Sequence, residues 1–253
     1  MKIQIIPCLN DNYSYLIHDD LSKTTAIIDP SEFSSCDKAI NKNYKRLDFI
    51  LNTHHHYDHV GGNEELKKKY NAIILGFEND KNRIPGIDKI LKDNQEFKIG
   101  TLNFTTIFIP GHTKGHVAFY FKKNKVVFTG DTLFSLGCGR VFEGTYEQMF
   151  QSLNKLKNIP GDTKIYCGHE YTYKNLEFCL KFNPNNNFLK KKKNAVELTL
   201  KNKKPTIPST IAEEIKTNIF LRFNDPDVKK ALNLENSSDI EIFTKLRDLK
   251  DNF

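Results

Sequence analysis

The sequence predicts an α/β domain over residues 1–170 followed by an all-helical segment over 171–253. Three observations carry that expectation. Short apolar runs alternate with helical patterns up to a last strand at 163–167. Beyond Tyr171 the strand signals fade and helical periodicity takes over. Four apolar runs also end alike, in a glycine or a loop that carries histidine or aspartate, and strand ends are where α/β folds build their sites.

Runs at 1–6, 14–17 and 24–28 read as strands, separated by the turn residues Asn10-Asp11-Asn12 and Asp19-Asp20. Asp29-Pro30 ends the third. A short helix is expected over 36–43, a strand over 48–52, a helix over 64–70 and a strand over 72–75. Residues 97–129 are β-rich, with 102–109 loosely alternating and 117–121 paired to 125–129 across Lys122-Lys123-Asn124. Tyr146, Met149, Phe150, Leu153 and Leu156 recur at helical spacing. The C-terminal segment predicts helices over 176–182, 192–201, 209–216 and 239–250, with Ser209 as an N-cap before an acidic first turn.

The densest chemistry is Thr53-His54-His55-His56-Tyr57-Asp58-His59, which follows an apolar run and precedes Gly61-Gly62. Neutral imidazoles and carboxylates are ligands for zinc, iron or manganese, and burying this many imidazoles without a metal would strand polar groups. Three further strands deliver His112 after Pro110-Gly111, Asp131 after Gly130, and His169 after Gly168. His54, His56, Asp58, His59, His112, Asp131 and His169 are thus the candidate ligands. One catalytic zinc takes about three protein ligands, so this set suits two ions sharing a carboxylate. His55 is expected to point away, His116 to brace the loop, and His18 has no supporting context.

The net charge of +7 is spread along the chain, and Lys190-Lys191-Lys192-Lys193 reads as a solvated helix face rather than a nucleic-acid patch. Cys8, Cys36, Cys138, Cys167 and Cys179 form no C-x-x-C pair, which points to free thiols in a reducing compartment. No run approaches the roughly 20 apolar residues that span a bilayer, and the first residues lack a signal-peptide pattern. A cytoplasmic monomer without nucleic-acid or membrane partners is the expectation.

The Thr53–His59 stretch matches the T-H-x-H-x-D-H signature of the metallo-β-lactamase superfamily, and Gly111-His112-Thr113, Thr129-Gly130-Asp131-Thr132 and Gly168-His169-Glu170 follow in that superfamily's order. Narrower stretches resemble the glyoxalase II (hydroxyacylglutathione hydrolase) family. They are Ile6-Pro7-Cys8-Leu9-Asn10-Asp11-Asn12-Tyr13, Leu136 to Thr145, Cys167 to Thr172, Pro208 to Glu214 and Leu246 to Phe253. The resemblance implies an αββα sandwich with a helical glutathione-binding cap. It implies two divalent ions, zinc first with iron or manganese as alternatives. His54, His56 and His112 would hold one ion, Asp58, His59 and His169 the other, and Asp131 both. Asp58 and Asp131 would orient the metal-activated water. Arg140, Phe142, Tyr171, Arg247 and Lys250 would contact glutathione. Family members often carry lysine and tyrosine where this chain has Arg140 and Phe142; arginine keeps the charge and adds a fork, whereas phenylalanine lacks the hydroxyl.

The implied reaction is hydrolysis of S-D-lactoylglutathione and related S-2-hydroxyacylglutathiones to D-lactate and glutathione, the second step of methylglyoxal detoxification. Replacing Arg247 or Lys250 should then mainly raise KM. The alternative on the same fold is a persulfide dioxygenase with one iron, against which Asp58, His59, His169 and the full cap argue. A nuclease would need an added nucleic-acid-binding region, and a metal-storage scaffold leaves the basic cap unexplained.

Overall fold

The computed structural model describes residues 1–253. By packing, the chain divides into two units: 1–108 with 114–130, and 109–113 with 131–253.

The first unit opens with β1 (Lys2–Cys8), β2 (Asn12–His18) and β3 (Thr25–Ile28), then α1 (Phe33–Asn43), β4 (Phe49–Leu51), α2 (Tyr57–Val60), α3 (Asn63–Tyr70), β5 (Ile73–Phe77) and β6 (Lys89–Leu91). These strands form one sheet in chain order. The β1–β2–β3 ladder is antiparallel, and β3 to β6 pair in parallel. Every residue of β2 is buried, so this strand is covered on both faces. On one face Ile6, Leu16, Ile27 and Ile50 pack with Ile40 of α1 and Leu66 of α3. On the other, Tyr15 meets Phe128 at 5.2 Å between ring centroids.

Phe128 belongs to the meander of β7 (Glu96–Ile99), β8 (Leu102–Phe108), β9 (Val117–Phe121) and β10 (Val126–Gly130), all antiparallel. Phe104, Phe119, Phe121 and Phe128 stack into a buried aromatic cluster within it. Each buried ring contributes roughly 1.5–3 kcal/mol of apolar transfer. The expected hairpin over 117–129 is present, its turn a single 3-10 turn at Lys122–Asn124 with Lys125 at positive φ.

The second unit contains the hairpin of β11 (Leu133–Phe134) and β12 (Gly137–Cys138), then α4 (Tyr146–Lys157), β13 (Lys164–Cys167), α5 (Thr172–Phe182), α6 (Asn187–Lys201), β14 (Ser209–Thr210), α7 (Ile211–Thr217), α8 (Pro226–Ala231) and α9 (Asp239–Asp251). Helix α4 starts at a capping box of Thr145 and Gln148, and its Phe150 packs on Phe223 and Phe243. Its apolar face is therefore shared with the helical segment, and the sequence boundary near residue 170 lies inside this unit. Helix α8 was not anticipated, although Asp225 before Pro226 is an N-cap followed by proline at N1.

Ser209 is not the N-cap expected of it. Thr210 caps α7 and closes a capping box with Glu213, while the Ser209 hydroxyl donates to the buried carboxylate of Glu214. Glu214 also accepts from the Leu136 backbone N–H at 2.7 Å and from Asn218 at 3.1 Å. Burial pushes the Glu214 carboxyl up, against the pull of these donors. The β11–β12 hairpin is thereby fastened to α7.

Candidate metal centre

In the first unit the ligand loop leaves the C-terminal end of β4, beside the end of the parallel strand β3. Asp29 sits at that end with φ +48, buried, its backbone N–H bonded to the Leu51 carbonyl. Its carboxylate organises the loop. Oδ1 accepts from the Thr53 N–H at 2.7 Å. Oδ2 accepts from the Thr53 hydroxyl at 2.7 Å and faces Nδ1 of His59 at 3.1 Å.

These bonds fix the imidazole tautomers. The Thr53 hydroxyl gives its proton to Asp29, so its oxygen accepts from Nδ1 of His54, 3.0 Å away. Nδ1 of His59 likewise donates to Asp29. In both rings the lone pair is left on Nε2, and neither Nε2 is used in a hydrogen bond. A carboxylate or hydroxyl behind a histidine is the outer-sphere arrangement of metal-bound imidazoles. One ligand-type atom from each of Asp29, His54 and His59 lies within 4.8 Å of the others. His56 is adjacent, its ring 4.7 Å from that of His54. Asp58 accepts from Asn12 Nδ2 at both its backbone oxygen (3.1 Å) and Oδ2 (2.9 Å), and Oδ2 lies 3.7 Å from His59 Nε2.

The other histidines behave as expected. His55 faces Asp80 at 3.2 Å through Nδ1 and Arg83 at 3.3 Å through Nε2, so both ring nitrogens are engaged away from the cluster. His116 stacks on His54 at 4.6 Å. His18 bonds Thr25 and stacks on Tyr44. Gly130, at φ +47, lies where a Cβ would come within 2.5 Å of Thr53 Oγ1 and 2.8 Å of His116; only glycine fits there.

The second unit holds His112, Asp131 and His169, all buried. Asp131 Oδ2 is 3.1 Å from His169 Nε2 and 3.6 Å from His112 Nε2. Nδ1 of His112 donates to the Arg140 carbonyl at 2.8 Å, which again leaves the Nε2 lone pair available. His169 lies flat on Tyr171, with centroids 4.7 Å apart and planes 4° apart. Gly139 is needed because a Cβ would sit 1.8 Å from the Asp131 carbonyl oxygen. Both ligand sets therefore suit divalent metal ions in donor chemistry, and the partners of His54, His59 and His112 impose the ligating tautomer on those three rings.

The residues expected to meet glutathione all lie in this unit. Phe142 is exposed, with its ring edge-on to His112 at 5.2 Å. Arg140 lies over the Phe142 ring and pairs with Asp251 at 3.2 Å. Lys250 reaches the Lys174 carbonyl at 3.4 Å, flanked by Phe178 and Phe253; burial lowers its pKa, helped by Arg247. Arg247, expected to contact glutathione, is 4% exposed. Its guanidinium donates to the Cys138 carbonyl at 2.8 Å and the Gly139 carbonyl at 3.4 Å, and pairs with Asp251 at 2.9 Å. It ties α9 to the β12 turn. Sequence reasoning also missed Asp29, and it gave Asn12 no role at the metal centre.

Residues 10–169 match the family model described as the metallo-beta-lactamase superfamily, and residues 170–253 match the one described as the hydroxyacylglutathione hydrolase C-terminus. A protein of Pelagibacter ubique (strain HTCC1062) named hydroxyacylglutathione hydrolase is 51% identical over 253 residues, covering 100% of both chains. The chain belongs to the hydroxyacylglutathione hydrolase family. A second member, from Methylococcus capsulatus, is 44% identical over 100% of this chain and 99% of its own. Among solved structures, ETHE1 from Myxococcus xanthus superposes with a TM-score of 0.70 at 22% identity, covering 98% of this chain and 90% of its own. The BLEG-1 B3 metallo-beta-lactamase does so with 0.67 at 21% identity, covering 87% and 99%. At such identities these two speak for the fold of the family alone. Like other members, this protein is a hydrolase of the metallo-β-lactamase fold whose histidine and aspartate clusters call for divalent metals.

Proposed function

We propose that the protein hydrolyses the thioester of S-D-lactoylglutathione and related S-2-hydroxyacylglutathiones to D-lactate and glutathione, as the second step of methylglyoxal detoxification. The observation that carries this reading is likeness over the full chain, across both family segments, to proteins named hydroxyacylglutathione hydrolase.

In this reading His54, His56 and His112 hold one divalent ion, Asp58, His59 and His169 hold a second, and Asp131 serves both. Zinc is the first choice, and the donor set also accepts iron or manganese. Such ions supply an activated water and polarise the thioester carbonyl. Asp58 and Asp131 would orient that water, Asp58 being held by Asn12. Asp29 keeps His54 and His59 in the ligating tautomer through the bonds described above. Arg140 and Lys250 attract the glutathione carboxylates, and Phe142 and Tyr171 contact the glutathione moiety. Arg247 acts behind them, by holding the backbone at Cys138 and Gly139. In this reading the protein works as a cytoplasmic monomer.

Loss of thioester absorbance with S-D-lactoylglutathione, paired with elemental analysis of the same sample, tests the assignment. Turnover by protein carrying two metals per chain is the expected result. No turnover by fully metallated protein would sink it, and oxygen uptake with glutathione persulfide would move it to the dioxygenase chemistry.

A further inference from the structure

The metal centre uses none of the five cysteines, and all five are free and buried. Two of them touch. Sγ of Cys8, at the end of β1, lies 3.9 Å from Sγ of Cys36 in α1. Disulfide length is about 2.05 Å, so bond formation needs an approach of roughly 2 Å between a strand end and a helix packed on it. Both thiols lie in the same core cluster, but Cys36 is fully buried within α1, whereas Cys8 is the last residue of β1, next to the exposed turn residue Leu9. An oxidant admitted by local opening of the turn after β1 meets Cys8 first. The contact with Cys36 lowers the Cys8 pKa, and the same contact, with burial, raises that of Cys36. Such asymmetry suits one sulfur to attack an oxidant and the other to resolve the product.

The pair is wired to the ligand loop on two sides. Cys8 pairs in register with Asn12 across the turn that joins β1 to β2, with Leu9 at φ +48, and Asn12 grips Asp58. Cys8 Sγ is also 3.4 Å from the Ser14 hydroxyl, which donates to the Asp29 carbonyl at 2.6 Å.

We propose that Cys8 and Cys36 form a peroxide-oxidisable dithiol whose closure to a disulfide loosens the Asn12–Asp58 contact. The Cys8 thiolate attacks one peroxide oxygen. The O–O bond breaks, water leaves after taking up a proton, and Cys8 becomes a sulfenic acid. The Cys36 sulfur then attacks the Cys8 sulfur; the S–O bond breaks, and the departing hydroxide takes the Cys36 proton as water. Two thiols lose two electrons, and one peroxide is reduced to two waters. The effect on the centre rests on the proposed metal reading; the disulfide does not.

The test uses the full chain loaded with zinc and treated with hydrogen peroxide, then unfolded, alkylated and digested. Mass spectrometry should find the Cys8 and Cys36 peptides joined, with the other three cysteines alkylated and the link reversed by dithiothreitol. Cys36→Ser should remove the link and drive Cys8 to sulfinic acid, with activity before oxidation unchanged. Recovery of Cys8 and Cys36 both alkylated, or joined to other partners, overturns the dithiol. Zinc released to a chromogenic chelator should report an affinity roughly tenfold lower after oxidation, as expected for losing an outer-sphere contact. A linked pair with unchanged zinc affinity overturns the coupling to Asp58. Absence of thioesterase activity in the untreated protein would instead count against the proposed reaction alone.

Discussion

The two units fix their imidazoles by different means. In the first, one buried carboxylate, Asp29, reaches Thr53, His59 and, through Thr53, His54. In the second, His112 leans on a main-chain carbonyl and His169 on the face of Tyr171. A side-chain hub is a single point of failure, because one substitution removes several bonds. A backbone acceptor cannot be deleted by mutation; it moves only if the chain around it moves. The first region is therefore exposed to loss at one residue, and the second to loss of whatever holds its backbone in place.

Replacing Asp29 should break this comparison most severely. Asp29→Ala removes the acceptor behind His59 and the one that orients the Thr53 hydroxyl behind His54, and metal affinity should fall roughly 10–100-fold. Competition titration with a chelator measures it; parent-like affinity would remove the hub from the account. In the second unit the corresponding weak point is Arg247. Arg247→Ala leaves the Cys138 and Gly139 carbonyls without their buried donor and should cost roughly 1–3 kcal/mol of stability. The melting temperature should fall together with a rise in KM, whereas Lys250→Ala should raise KM with little change in melting. A raised KM for Arg247→Ala at unchanged stability would return that residue to direct substrate contact.

Lys250 sharpens the contrast through pH. Burial lowers its pKa, so its charge is present below that value and is lost as pH rises through it, earlier than for an ordinary lysine. KM for an anionic thioester should therefore climb on the alkaline side, and Lys250→Arg should move the climb to higher pH. The smallest effect is expected from Phe142→Tyr. Restoring one hydroxyl to an exposed ring is worth about 0.5–1.5 kcal/mol at best, a KM lower by up to roughly tenfold. Steady-state kinetics over a range of substrate concentrations would show it.

The two regions also differed in how far the sequence revealed them. His54, His56, Asp58 and His59 are crowded into one loop, so their chemistry was readable before any fold was known. His112, Asp131 and His169 were readable because each follows a glycine at a strand end. Asp29 was not, since its role depends on a positive φ and on the parallel neighbour β4, neither of which a lone Asp-Pro reveals. The alternating strands of the first unit followed from their apolar pattern. The two-residue strands β11 and β12 did not, because tertiary contacts with Glu214 and Arg247 set them rather than local propensity. Ser209 and Thr210 are equally good caps in sequence; the pull of Glu214 on Ser209 decides between them. Arg247 read as a glutathione contact and not as a buried tie because charge is visible in a sequence and burial is not.

The Asp29 carboxylate has one more implication. In the proposed two-ion reading its Oδ2 oxygen serves histidines of different ions, His54 by way of the Thr53 hydroxyl and His59 directly. That reading couples occupancy of one position to the other. An ion that draws His54 into line orders Thr53 and Asp29, and His59 inherits that order before its own ion arrives. Linkage makes the advantage mutual. Metal uptake should therefore be cooperative, with the half-loaded protein a minor species during titration.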